Sequence, residues 1–269
     1  MDLAEVGSVG GFFALRTDGG PRTGTESGTG PETAWTAEAR AGVGAHDGAY
    51  VPLARIYAGD VAPLSARVDT VARRLGAPER RVAASVAHLG LAARLWSVAL
   101  GPAALHGRVP DLDPARLRWN PGASAPDDLL LAAPRALGPY DPSPENLAVS
   151  VRAVVQYGHL VPLAAALRAD GGISPRLLWG NAGSALAGAV RELRAWSRRT
   201  GRPEAGERAA LIGAALFTHP DLRTTGVSRD GTFRRRSCCL YYRCPSGGLC
   251  GDCVFDRPPP RPSAREVSG

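Results

Sequence analysis

The chain has 269 residues, 44% of them hydrophobic, which supports a substantial core and excludes a globally disordered polymer. Its formal charge of +7 comes from arginine alone, since the sequence holds no lysine. With Ala, Gly and Pro also abundant, this reads as a coding bias and is no argument for nucleic-acid binding, although a basic surface still attracts acidic partners.

The opening Met1-Asp-Leu-Ala-Glu-Val lacks the basic and apolar regions of a secretory signal, so a cytoplasmic protein is expected. Residues 1–49 are expected to form a variable, partly flexible segment, because 17–48 is rich in Gly, Thr and Glu with little apolar periodicity. A mainly helical domain is expected over 50–230. Helical spacing covers 65–75 and 78–100. The most apolar stretch, 84–105, is interrupted by His88 and Arg94, so it reads as a buried helix and no transmembrane segment is expected. Residues 116–120 and 128–131 read as two short strands that can pair, in a region whose prolines forbid a long helix. Pro144 opens a helical pattern to about residue 168, interrupted or kinked near Gly158 and Pro162. Ser174-Pro175 pairs an N-cap with a proline in the first turn, starting a helix to about 198, and another fits 206–219. Residues 233–243 read as extended, Tyr241 and Tyr242 favouring a strand, followed by a tight turn at Pro245-Ser-Gly-Gly. A C-terminal module is expected over 231–256 and a disordered Pro-rich tail over 257–269. The fold class is α+β, a mainly helical domain with a small strand and turn module.

All five cysteines lie between 238 and 253, whereas a disulfide framework would scatter them. The run is Cys238-Cys239-Leu-Tyr-Tyr-Arg-Cys244-Pro-Ser-Gly-Gly-Leu-Cys250-Gly-Asp-Cys253. In the second half, two thiolates across a small turn converge on one metal, and Gly251 keeps the approach clear. The vicinal pair is the unusual half. Adjacent side chains on an extended strand point to opposite faces, so both reach one site only if the backbone bends. A two-iron cluster offers more widely spread acceptor positions than a single ion does. Iron–sulfur is therefore easier to build here than tetrahedral zinc, with structural zinc and a thiol–disulfide switch through Cys250 and Cys253 as the alternatives.

The run from Arg235 to Cys253 resembles the C-terminal motif of the FhuF family of ferric-siderophore reductases, an R-R-x-C-C, ten residues, C-G-D-C segment. Leu178-Trp179-Gly180-Asn181-Ala182 resembles a W-x-N element of the same family, at a suitable distance upstream. The resemblance is specific over 174–254 and diffuse over 50–170. It implies a [2Fe–2S] cluster on Cys238, Cys239, Cys250 and Cys253, with Cys244 a departure from the family pattern. It also implies one-electron reduction of hydroxamate-type ferric siderophores in the cytoplasm, with electrons from an external ferredoxin or reductase; the alternative is an iron–sulfur protein that binds or senses without turnover.

Arg234, Arg235, Arg236 and Arg243 flank the cysteines, and guanidinium groups near an anionic cluster stabilise its reduced form. Arg235 and Arg236, with Trp179 and Asn181, are candidates for docking a siderophore or a donor. Set against that, Asn181 satisfies backbone groups and Trp179 packs in the core. The five histidines are isolated, and Ser184 reads as ordinary helix. The arginine run lacks an aromatic-interleaved platform, so no nucleic-acid partner is expected. No nucleotide-binding glycine motif occurs.

Overall fold

The computed structural model describes residues 1–18, 50–137, 141–229 and 231–260. Most of the expected flexible segment, and the end of the expected disordered tail, lie outside these.

The chain opens with α1 (Leu3–Gly7), capped by Asp2, whose carboxylate accepts from the Ala4 and Glu5 amides. Strand β1 (Arg16–Thr17) follows, then β2 (Val51–Pro52), α2 (Leu53–Tyr57) and α3 (Ala62–Leu75). Next comes α4 (Arg80–His106), which extends through Pro102, beyond the expected end near 100. Strands β3 (Leu117–Trp119) and β4 (Leu129–Leu131) are the expected pair, antiparallel and in register Leu117↔Leu131. They form the centre of a four-stranded sheet in the order β1-β4-β3-β2.

The first 18 residues contribute to the core. Val6, Val9, Phe13 and Leu15 are buried, and β1 pairs in parallel with β4. Arg94 holds this segment in place. Its guanidinium is buried in α4, where it pairs with Asp128 at 2.7 Å and donates to the carbonyls of Gly11, Phe12 and Ala14. The residue that appeared to interrupt an apolar helix is thus a fully engaged internal cation.

The long pattern from Pro144 divides into α5 (Pro144–Val151), a π-helical stretch (Arg152–Leu160) and α6 (Val161–Gly171). The widening ends just before Pro162, whose ring nitrogen cannot donate to the preceding turn. Helix α7 (Pro175–Thr200) follows and stops at Gly201, whose φ of +68° suits a residue without Cβ. Then come α8 (Pro203–Phe217), the short α9 (Pro220–Arg223) and the antiparallel hairpin β5 (Gly226–Arg229) and β6 (Thr232–Arg235).

Helices α4 and α7 pack along one another at the centre, joined by the bond from the Trp96 indole to the Ala182 carbonyl at 3.0 Å. Among the described residues, two runs, Arg80–His106 and Pro144–Gly171, are long and apolar enough to cross a membrane by length and composition. Most of the first is enclosed by the fold, as its reading as a core helix requires. The architecture is α+β and mainly helical.

Candidate metal centre

Strand β6 ends at Arg235, earlier than the sequence suggested. Residues 236–237 bend, and Tyr241–Arg243 form a 3-10 turn in place of the expected strand. Leu240 makes the reversal, with φ at +68°. That left-handed conformation is costly for a branched side chain, and it supplies the local bend that a vicinal cysteine pair needs. It also aims the Leu240 amide at the Cys238 sulfur, 3.2 Å away. The turn is held by Arg243, which pairs with Glu79 before α4, and by Tyr242 packed edge-on against Phe255 with ring centroids 5.8 Å apart. The expected tight turn is closed by a bond from the Gly247 amide to the Cys244 carbonyl, 2.9 Å long.

The thiols of Cys238, Cys239 and Cys250 interact in a chain. Hydrogen bonding to Cys239 lowers the Cys238 pKa to about 7, and the neighbouring Cys253 opposes that shift. Its bond to Cys238 raises Cys239, and the bond to Cys239 and burial push Cys250 far up. The four sulfurs at the ends of the motif therefore feel one another. Among the described residues, no three His, Cys, Asp or Glu donors gather round one ion-sized point. Cys239 is buried, while Cys238, Cys250 and Cys253 reach partway to solvent. Cys244, which caps the end of the 3-10 turn, is fully buried.

Arg235 is the decisive neighbour. Only 2% of it is exposed, and its positive charge favours ionisation of Cys238, Cys239 and Cys250 alike. Its Nη2 donates to Asn181 Oδ1 at 2.5 Å, while Nε and Nη1 are buried without a partner. Among the described residues it makes no ion pair. An arginine cannot shed its charge, and an uncompensated buried cation is expensive. A thiolate-bound cluster, which is anionic, supplies the missing counter-charge, so the residues present fit an iron–sulfur group. Burial, aided by the same cation, pushes His88 down to about 3, keeping that ring neutral.

Helix α7 is the seat of the module, through residues the sequence reading weighed as ordinary or as substrate contacts. Asn181 is fully buried, its amide donating to the Ser85 carbonyl at 2.9 Å and to Ser85 Oγ at 3.1 Å. Ser85 Oγ in turn donates to the Cys239 carbonyl at 2.7 Å. Ser184 donates to Asp252 at 2.6 Å, and Arg191 holds the other carboxylate oxygen at 3.2 Å. The Asp252 carbonyl accepts from the Arg235 amide at 2.9 Å. Gly180 and Gly183 have no room for a Cβ, because Ser237 and Thr225 lie against them. Asn181 and Arg235 are thus interior, whereas Arg236 is exposed and Trp179 half-buried.

Residues 235–255 match the family described as the FhuF 2Fe-2S C-terminal domain. Residues 106–232 match the one described as the ferric iron reductase FhuF-like transporter. The two matches together cover more than half of the chain. The chain belongs to the FhuF family. It carries that family's [2Fe–2S] C-terminal domain. A curated relative, the ferric siderophore reductase of Escherichia coli (strain K12), is 35% identical over 98 residues. That stretch is 36% of this chain and 37% of the relative, so the chain matches well under half of the relative's length.

Proposed function

We propose that this protein is a ferric-siderophore reductase that passes one electron to hydroxamate-type ferric chelates in the cytoplasm, releasing ferrous iron. Cys238, Cys239, Cys250 and Cys253 are the proposed ligands of the [2Fe–2S] cluster, which supplies one-electron chemistry when bound. The observation that carries the reading is the buried, uncompensated Arg235 guanidinium set against interacting thiols that reach partway to solvent. A low-dielectric cation of this kind favours the more negative, reduced state of whatever the cysteines hold. The partly exposed cysteine edge keeps the electron path to a docked partner short.

The chemistry needs no base or nucleophile. Ferric iron is a small hard ion held tightly by oxygen donors, and ferrous iron is held far less tightly by the same donors. One electron added to the metal therefore turns a trap into an exchangeable complex, with no bond made to the chelate. The electron comes from an external ferredoxin or reductase. The family membership and the activity for which the Escherichia coli relative is named support this reading.

The test is direct. Anaerobically reduced protein is mixed with a ferric hydroxamate and a ferrous-specific trap, with a simple soluble oxidant as control. The expected result is reoxidation of the protein with ferrous iron in the trap. Reoxidation by the soluble oxidant but by no ferric siderophore would overturn the reading.

A further inference from the structure

A cleft of about 340 Å³ opens directly beside the cysteine motif. Its lining includes Arg176 and Trp179 from the first turns of α7, Asp221 and Thr224 from the α9 region, and Arg236 and Ser237. Ser237 immediately precedes Cys238, so the cleft wall lies one residue along the chain from the proposed first ligand. Three observations point to an occupant. Arg176 and Arg236 are both exposed, and among the described residues neither side chain has an ion pair or hydrogen-bond partner. The Asp221 carboxylate is already held by the Gln156 amide at 2.7 Å and lies 3.5 Å from the His219 ring, so it does not satisfy them. The Ser237 hydroxyl is buried at the cleft wall with no partner.

The geometry points to this cleft as the binding site for a ferric chelate of net negative charge, an inference that rests on the reductase reading above. Two unpaired guanidinium groups reward carboxylate-bearing or otherwise anionic chelates and penalise cationic ones. Trp179 offers an apolar wall to the chelate backbone, and the Ser237 hydroxyl offers a hydrogen bond. In the electron step, ferric iron gains one electron and becomes ferrous. The cysteine-bound site is oxidised by one electron, and the external donor replaces it. The arginines take no part in that exchange; they set which chelates come close enough for it.

Ferrioxamine B and its N-succinylated derivative share one trihydroxamate core but carry charges of opposite sign, because a terminal ammonium becomes a carboxylate. Their gallium(III) complexes keep the shape and charge and do not accept an electron. Binding of both gallium complexes to the intact, cluster-loaded protein is measured by titration calorimetry. The succinylated complex should bind more tightly, and added salt should erode the difference. Arg176→Gln and Arg236→Gln should each weaken it about fivefold, the worth of one contact charge pair in water. Arg223→Gln, which removes the same charge outside the cleft, should not. Equal or undetectable binding of the two complexes, or an equal effect of Arg223→Gln, overturns the inference. Reduction of the ferric complexes is then followed separately, with titanium(III) citrate as electron source. Charge-selective binding without any ferric reduction would leave the cleft standing and sink the reductase reading. Reduction of both chelates at equal rates, insensitive to either cleft arginine, would do the reverse.

Discussion

Arg235 and Asn181 are joined at 2.5 Å, Nη2 to Oδ1, in the interior between α7 and the cysteine loop. Asn181 passes the connection on to Ser85, and Ser85 to the Cys239 carbonyl. A side-chain chain of this kind couples the orientation of a buried cation to the backbone of a proposed cluster ligand. It ties the W-x-N element on α7 to the C-terminal motif as one structural unit.

The first prediction concerns the potential. Arg235→Gln removes a buried positive charge, and reduction adds negative charge beside it, so the midpoint potential should fall. With partial screening the loss is roughly 1 kcal/mol, which for a one-electron couple is about 40 mV. Arg235→Lys should recover most of it. Arg236→Gln should shift the potential far less, because that side chain is in solvent. Redox titration of the three variants decides the point. An unchanged potential in Arg235→Gln would remove the tuning role.

The cysteine ligands are tested by replacement. Serine at 238, 239, 250 or 253 should each abolish or badly weaken iron and sulfide retention and the visible absorbance. Cys244→Ser should keep both, at a stability cost of about 1–2 kcal/mol for burying a hydroxyl. Bleaching by Cys244→Ser with survival at one of the other four would reassign the ligand set.

Much of this was legible in the sequence, and the illegible parts share a cause. Helices α3, α4, α7 and α8 announce themselves through 3.6-residue spacing, and α3, α7 and α8 carry a proline in the first turn, whereas Pro78 lies just ahead of α4. The β3–β4 pair does so through short apolar runs between prolines. Those signals are local. Ser184 reads as ordinary helix because its partner, Asp252, lies 68 residues away. Arg235 reads like Arg234 and Arg236 because nothing in an arginine run says which side chain turns inward; β6 alternation decides it, burying Phe233 and Arg235 and exposing Arg234. The reversal at Leu240 defeated the strand propensity of Tyr241 and Tyr242, since the contacts made at the vicinal cysteines outweigh a preference worth under about 1 kcal/mol. The packing of residues 1–18 depends on Arg94, again a contact across more than 80 positions.

Glycine on α7 gives a third prediction with opposite signs at two sites. Replacing a mid-helix glycine by alanine normally stabilises by about 0.5–1 kcal/mol. Gly188→Ala meets only ordinary contact with Arg191 and should show that gain. Gly180→Ala drives its methyl group into Ser237 and crowds Arg235. It should cost about 1–3 kcal/mol as overpacking and loosen the cluster with it. Urea unfolding and iron retention are read together. A Gly180→Ala protein as stable as the parent, with full cluster, would mean that the module does not sit against α7 in this way.

The last prediction is a pH dependence away from the cysteines. His159 lies buried in the π-helical stretch, its Nε2 2.6 Å from the Leu112 carbonyl and its Nδ1 3.0 Å from the Tyr57 hydroxyl. Burial lowers its pKa to about 4, against the opposing pull of the Leu112 carbonyl and Asp113. The unfolded chain holds a histidine near its ordinary value of about 6.5. Between those two values the unfolded state binds more protons than the folded one, so stability must fall as pH falls through that window. The limiting slope is about 1.4 kcal/mol per pH unit for one such group, and above pH 7 the contribution is level. His88, lowered to about 3 by burial and by Arg235, adds a second slope of the same sign. His159→Gln keeps polar atoms at the site but cannot titrate. It should be less stable than the parent at pH 7, yet lose less on acidification to pH 5. Urea midpoints of parent and variant at pH 7, 6 and 5 measure the difference. Parallel pH profiles would show that His159 is not held neutral in the folded protein.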